Sequence, residues 1–575
     1  MMKKENVLKV YARIIRHPGV SNQQDDGDGR SIALLSTLSN RRSIHRAIGT
    51  IAGFLTLLLC ISIGRVNSQT FPLRISANHR YLEGQDGTPF FLNIDAAWSM
   101  VAQLTYAQAN TYLTDRANRK FSGVLVNLIE HQFSNNAPNN IYNVAPFTGA
   151  TFSTPNEPYF VLADSMIARA NALGLLVILD ASYLGYNCGT EGWCAEVKAA
   201  SAATMKGWGQ YVGNRYKNYP NIIWIMGGDT DPTTVKAKLD SMVVGMKQYD
   251  TVYPRIYTAH NDPETQSITR WPGSTWLTLN GIYTYSTTLY SAAQTAYAVS
   301  PAMPFIMMES NYENEHSSTP QQLRAQAYWT SLGGGCGHIF GNNPIWDFAS
   351  GWKTALSSAG SVSMTYFYNL FNSRHWNNLI PATGATIITS GAGSGTTLAT
   401  FAYASDSSSI IGYLPTQRTV TINPSVLQGD SIHVWWYNPS NGVYTDAGMD
   451  SKVSRSYTPP SAGDWVLALD GKGFDFDQTG VGSFQNLPNE FSLSQNYPNP
   501  FNPATTIAYN LPRRVHVTLD LYNNLGQLVQ RIVDTIQNAG YHQTSLDGRQ
   551  LSSGVYLYRL QAGEFIQTRK LLLLK

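Results

Sequence analysis

The chain has 575 residues, of which 43% are hydrophobic, 12% aromatic and 13% charged, a balance that fits two to four folded domains and excludes a disordered chain. Its formal charge of +3 is concentrated at one end: residues 1–68 hold ten Lys or Arg against four Asp or Glu, leaving 30 against 33 in the rest. No basic surplus remains for nucleic acid, which excludes that class of partner, whereas the 33 Tyr, 21 Phe and 13 Trp suit neutral, hydroxyl-rich ligands.

Arg41, Arg42 and Arg46 precede an uncharged, mostly apolar run over 47–64, and Val66-Asn-Ser68 offers small residues to a signal peptidase. The pattern reads as an export signal with a cut before Gln69. A membrane anchor is the rival at that length, but no stable membrane span is expected after processing. Residues 1–40 are polar and patternless and read as an extension without a structural role.

Over 69–380, apolar strands at 89–95, 121–129, 174–180, 221–227, 255–260, 277–283, 305–309 and 337–341 are interspersed with helical patterns, among them 105–119, 159–173, 199–216 and 233–249. Thr105 is placed to cap the first of these helices, and Asp231 to cap a turn opened by Pro232. Eight such units predict an α/β fold of the (β/α)8 TIM-barrel type. An open doubly wound sheet is the alternative, but no Gly-rich phosphate loop follows the first strand.

The fourth strand carries the sharpest signal, Asn221-Ile-Ile-Trp-Ile-Met-Gly-Gly-Asp229. Gly227 and Gly228 permit a tight turn that delivers Asp229 to a strand end. The seventh strand repeats the design in Pro304-Phe-Ile-Met-Met-Glu309, with Ser310 and Asn311 as expected donors to the carboxylate. Barrel strands keep their chemistry at these ends, and two carboxylates facing one cleft are the minimum equipment of a glycoside hydrolase. Neighbouring strand ends supply Asp95, Glu130, His131, His260 and Asn261 as hydroxyl-binding groups, and Trp98, Tyr283, Tyr285 and Trp346 as faces for sugar rings. Plainer readings stand beside these. Glu130 and His131 serve equally well as a structural pair, and Glu313 as a loop ion pair or sugar contact. No cofactor is called for. Cys188 and Cys194, in a Gly-rich loop, form a candidate disulfide in an exported chain; zinc is the rival, with no His pair nearby. Cys60 falls in the leader, and Cys336 reads as a small buried residue.

From 381 to 470 short strands and regular turns predict an antiparallel β-sandwich, with a hairpin turn at Asn438-Pro-Ser-Asn-Gly442. Trp435 and Trp436 alternate on a strand, so one of them belongs to the core. Residues 471–488 read as a linker, and 489–575 as a second all-β unit.

The barrel motifs Phe90-Phe-Leu-Asn-Ile-Asp-Ala-Ala-Trp98, Asn221–Asp229 and Phe305-Ile-Met-Met-Glu-Ser-Asn-Tyr-Glu313 resemble the apiosidase-like glycoside hydrolases. The resemblance implies a retaining mechanism with Asp229 as acid/base and Glu309 as nucleophile. The wider superfamily places a Glu after Asn at the acid position, and the Gly-Gly-Asp form is the one expected of this group. Trp435-Trp-Tyr-Asn-Pro-Ser-Asn-Gly442 is a loosened version of the motif of a small domain labelled collagen-binding. Asn496-Tyr-Pro-Asn-Pro-Phe-Asn-Pro503, Tyr522-Asn-Asn-Leu-Gly526 and Leu551-Ser-Ser-Gly-Val-Tyr556 resemble the type A C-terminal sorting domain of the type IX secretion system. That resemblance implies handling by the type IX machinery, carriage across an outer membrane, and release or attachment at the cell surface. The expectation is a secreted retaining glycoside hydrolase acting on complex, plant cell-wall polysaccharide with apiosyl or similar side chains. The alternative is a catalytically inactive carbohydrate- or matrix-binding cell-surface protein. A peptidase would need a His-Glu-x-x-His motif or a nucleophile elbow, and neither is present.

Overall fold

The structure, a computed structural model, describes residues 71–285, 289–474, 476, 491–496, 498–511, 515–537 and 540–575. The export signal, Cys60, most of the 471–488 linker and Tyr497 of the tail motif lie outside them.

Eight parallel strands, β1 (Leu92–Ala96), β2 (Gly123–Asn127), β3 (Leu176–Asp180), β4 (Ile222–Gly227), β5 (Tyr257–His260), β6 (Asn280–Tyr283), β7 (Phe305–Glu309) and β8 (Gly337–Phe340), run in the order β5-β4-β3-β2-β1-β8-β7-β6. Pairing of β8 with β1, Phe340 opposite Asp95, joins the two halves of the barrel. The seam between β5 and β6 is closed differently. The Ser267 hydroxyl donates to the Ala259 carbonyl at 2.6 Å and accepts from the Gly281 N–H at 3.0 Å. The strands are continuous apolar runs because helices cover the outer face while side chains fill the inside.

Each strand is followed by a helix: α1 (Tyr106–Asn118), α2 (Glu157–Ala172), α3 (Ala202–Tyr216), α4 (Lys236–Tyr249), the single turn α5 (Ser267–Arg270), α6 (Leu289–Tyr297), α7 (Pro320–Leu332) and α8 (Ala359–Asn372). Local chemistry fixes several starts. Thr105 forms a capping box with Gln108, satisfying two otherwise orphaned N–H groups. Thr319 accepts from Gln322 ahead of Pro320, and Asp231 caps the turn at Pro232.

A sandwich follows. Its six-stranded sheet is built from Leu379–Pro381, Thr400–Ala404, Ser409–Leu414, Trp465–Gly471, Ser431–Asn438 and Val443–Ser451, and a three-stranded sheet faces it. Trp436 is buried in its core, whereas Trp435 lies on the other face against His433 with rings 4.0 Å apart. This sandwich is fused to the barrel. Every residue of α7 from Leu323 to Leu332 is buried, because the helix has barrel on one side and sandwich on the other. Tyr328 stacks on Tyr413 at 4.7 Å. Arg324 makes a bidentate pair with Asp464, both bonds 2.8 Å, and Arg374 does the same with Asp470 at 3.1 and 3.0 Å. Further antiparallel sheet closes the chain, including a four-stranded sheet that contains Val515–Tyr522, Gly554–Ala562 and Phe565–Leu573. Among the described residues no helix is long and apolar enough to cross a membrane.

Candidate active site

Strand β4 ends in glycine because of what lies beside it. A Cβ on Gly227 would stand 2.3 Å from the His260 carbonyl oxygen, and one on Gly228 2.4 Å from the Leu184 nitrogen. Both glycines hold positive φ, 101° and 145°, which a side chain resists. The chain thereby passes between the loop after β3 and the end of β5, and carries Asp229 to the mouth of the barrel. Glu309, His260 and Tyr283 are the last residues of β7, β5 and β6. Four neighbouring strands thus send polar groups to one point, at the end of the barrel that houses chemistry.

There the geometry is tight. One oxygen each of Asp229 and Glu309 and a ring nitrogen of His260 all lie within 4.8 Å of one another. His260 Nε2 bonds Glu309 Oε2 at 2.8 Å, and the Tyr183 hydroxyl donates to Asp229 Oδ2 at 3.3 Å. Burial, and then the charge of Asp229, push the Glu309 carboxyl up to about 7, with His260 pulling the other way. For His260, burial opposes the charged ring. The bond to Glu309 and the charges of Glu309, Asp229 and Asp180 outweigh it and hold the ring above its usual range. The result is a pair of carboxyl groups sharing one hollow, with the His260 ring behind one member.

Among the described residues these three side chains are also the group that could hold a metal ion. The His260 nitrogen facing them is already bonded to Glu309, and a ring that favours its proton is a poor ligand, since coordination requires the neutral imidazole.

The hollow above the pair has a volume of about 210 Å³ and is lined by Trp98, Phe133, Tyr183, Tyr186, Glu191, Asp229, Tyr285, Glu309, Tyr312, Glu315 and Trp346. That is below the roughly 300–1,000 Å³ of sites for drug-sized ligands, and it suits a single sugar ring. Two walls are braced by hydrogen bonds: Trp98 Nε1 to the Tyr312 hydroxyl at 3.0 Å, and Trp346 Nε1 to Glu315 at 2.7 Å. A larger hollow of about 360 Å³ beside Phe152 and Tyr211 contains no carboxylate.

Trp98, Tyr285 and Trp346 therefore stand in the cavity wall, and Tyr283 lies just behind it, stacked on His260 at 5.0 Å and bonded to the Tyr285 hydroxyl at 2.8 Å. His260 addresses Glu309 and not a sugar hydroxyl. Four other expected hydroxyl binders do not reach the cavity. Asp95 is wholly buried and engaged by the Tyr112 hydroxyl at 2.6 Å and Arg116 at 3.2 Å, because α1 brings a buried cation that needs a counter-charge. Asn261 is spent on Trp271 and Ser267. Glu130 accepts from Ser134, and burial pushes its carboxyl up to about 7. His131 meets the Thr190 carbonyl at 2.6 Å and Glu196 at 3.1 Å. Glu313 accepts from Gly360 N–H at 2.8 Å and from Asn342 and Ser358, holding the start of α8. The donor to Glu309 is His260; the Ser310 hydroxyl is buried without a partner.

Sequence reasoning overlooked Phe133, Tyr183, Tyr186, Glu191, Tyr312 and Glu315. Tyr183 and Tyr312 each follow a barrel strand by three residues, and that position is the signal that would have found them. Cys188 and Cys194 are joined in a disulfide, which leaves neither thiol for zinc. Cys336 is buried.

Comparison with known proteins agrees with this architecture. The model of the apiosidase-like catalytic domain matches residues 76–378. A model named for the collagen-binding domain of a collagenase matches 384–470, and the secretion system C-terminal sorting domain matches 495–574. A search of curated proteins returns no match. Among solved structures, one described as a glycoside hydrolase is 22% identical with a TM-score of 0.63, covering 71% of this chain and 98% of that one. A glycoside hydrolase family 5 protein from Bacteroides vulgatus is 21% identical with a TM-score of 0.63, covering 72% and 95%. At these identities the likeness is one of fold. The sorting domain marks the chain for export by the type IX route, to secretion or to the cell surface. With its catalytic-domain model spanning more than half the sequence, the chain belongs to the apiosidase-like family.

Proposed function

We propose that this exported glycosidase works by retention, with Asp229 as acid/base and Glu309 as nucleophile. The observation that supports it is proximity: one oxygen of Asp229 and one of Glu309 lie within 4.8 Å of each other, which favours the shorter of the two spacings that glycosidases use. Retaining enzymes hold this pair about 5–5.5 Å apart, whereas inverting enzymes need about 6.5–9.5 Å to admit a water between acid and base. Glu309 attacks the anomeric carbon as the glycosidic C–O bond breaks, and Asp229 gives its proton to the departing oxygen. Asp229 then takes a proton from water, whose oxygen displaces Glu309 from the sugar. The charge of Asp229 raises the Glu309 carboxyl, as two like charges in one hollow must; the first step requires Glu309 ionised and a proton on Asp229.

Among the described residues the charged groups of the cavity wall are Glu191, Asp229, Glu309 and Glu315, with no Lys or Arg. A neutral sugar fits such a pocket, and its volume suits one ring. Together with the family, this supports removal of single side-chain sugars, apiosyl or similar, from complex plant cell-wall polysaccharide. The test is to screen the purified protein against pectic and hemicellulosic oligosaccharides and follow the product anomer by proton NMR. A 2-deoxy-2-fluoro glycoside of the released sugar should then label Glu309. Asp229→Ala and Glu309→Gln should abolish hydrolysis and leave sugar binding. An inverted product, or a label elsewhere, overturns the proposal.

A further inference from the structure

The loop after β3 forms a small ring of its own, closed by the Cys188–Cys194 disulfide. Its backbone is held in conformations it would not choose alone. Asn187 and Cys188 have φ of 49° and 63°, left-handed values that non-glycine residues keep only when their surroundings impose them. The ring presses against the chain that leads into it: a Cβ on Gly192 would stand 2.1 Å from the Gly185 nitrogen.

From this loop three hydrogen bonds run to the end of β4. Leu184 N–H donates to the Gly227 carbonyl at 3.0 Å, Asn187 N–H to the Asp229 carbonyl at 3.0 Å, and the Tyr183 hydroxyl to the Asp229 carboxylate at 3.3 Å. The middle bond comes from the residue next to Cys188. Two glycines precede Asp229, so its own strand supplies little stiffness. Its carboxyl takes its orientation from the β3 side.

We infer that the Cys188–Cys194 disulfide is a positioning device for the acid/base carboxyl of Asp229, an inference that rests on the retaining reading above. Stapled, the ring keeps Asn187 and Tyr183 in place and aims the Asp229 proton at the leaving oxygen. Opened, it relaxes from its left-handed turn and the proton is misdirected, while Glu309 and His260, on β7 and β5, stay put. The loss therefore falls on leaving groups that need a proton and spares those that depart without one.

The experiment compares two substrates of the sugar that screening identifies, its methyl glycoside and its 2,4-dinitrophenyl glycoside. They are assayed with the full chain, with Cys188→Ser/Cys194→Ser, and with wild type after dithiothreitol. The dithiol gives two electrons and two protons to the bond, becoming a cyclic disulfide and leaving two thiols; this route needs no variant to fold. The expected result is a kcat/KM, which reports the step in which the leaving group departs, lower by about 10- to 100-fold on the methyl glycoside, the scale of a misplaced catalytic group. On the dinitrophenyl glycoside kcat/KM should stay within about threefold, because departure of that group needs no general acid. Equal losses on both substrates, or no loss on either, overturn the inference. Asp229→Ala, assayed alongside, separates the two levels. If it shows the leaving-group dependence and the opened ring does not, positioning alone fails; if it does not show it, the acid assignment beneath fails.

Discussion

His260 offers the sharpest test of how the carboxylate pair is tuned. It is fully buried, bonds Glu309 at 2.8 Å, and is fixed from the sides by Tyr283 and the edge of Trp98, 5.0 and 5.7 Å away. In the free enzyme the Glu309 carboxyl stands at about 7 because burial and the charge of Asp229 outweigh the help it receives from His260. A nucleophile must be ionised, so kcat/KM should fall as pH drops through about 7. His260→Ala removes a hydrogen bond to a charged group, an interaction of about 1.5–3 kcal/mol. At 1.36 kcal/mol per pH unit, the ascending limb of kcat/KM moves up by about one to two units. The sign is fixed, since the lost donor stabilised the charged form. His260→Gln keeps a neutral N–H and should move the limb less. The assay is kcat/KM against pH on the best oligosaccharide from the screen, a quantity that reports the free enzyme. A limb that stays put or moves down in His260→Ala would refute the tuning argument, whatever happened to the maximal rate.

Gly228→Ala forces a methyl to 2.4 Å from the Leu184 nitrogen at a φ of 145°; stability measured by urea unfolding should drop by at least about 2 kcal/mol, with most of the activity lost. The Glu130 carboxyl, raised from 4.5 to about 7 by burial, makes the folded state hold its proton more tightly than the unfolded one. Its favourable share is complete below the unfolded value and is lost as pH rises to and through about 7, so Glu130→Gln should raise the melting temperature at pH ~8.5 more than at pH ~4.5. Asp464→Ala leaves Arg324 buried and unpaired, and calorimetry should register a cost of about 3–5 kcal/mol in a transition that includes the barrel. Finally, with four carboxyl groups and no cation among the described residues of the cavity wall, a free uronic acid should inhibit hydrolysis less than the neutral sugar of the same configuration, the gap narrowing as salt rises.

All eight barrel strands were legible because each is buried on both faces and stands in the sequence as a short apolar run between turn residues. The carboxylate pair was legible for the same reason, each member following such a run directly. Helix α7 gave no comparable signal. Gln326, Thr330 and Ser331 are buried because the sandwich covers the side that would otherwise face water, so the period of an amphipathic helix is missing. The hairpin turn at 438–442 gave away only the start of the strand Val443–Ser451, and Leu528–Gln537 went unseen, since both lie at sheet edges with mostly exposed side chains, leaving little apolar alternation to read. Half of the pocket escaped for another reason. Phe133, Tyr186, Glu191 and Glu315 come from loops, and which loop residues turn inward depends on contacts distant in sequence. Asp95 misled because a strand-end carboxylate looks the same whether it meets a ligand or a buried arginine.

The shared core between barrel and sandwich has a consequence for how a polymer held by the sandwich would meet the pocket. A binding module on a flexible tether searches a surface and lets its partner sample many approaches. Here Tyr328 lies flat on Tyr413, and Arg324 and Arg374 are each clamped to a carboxylate of the sandwich. Any fibre resting against the six-stranded sheet would be presented to the pocket at one fixed attitude, so the choice of which branches are clipped would be made by the rigid geometry of the whole body and not by the pocket alone.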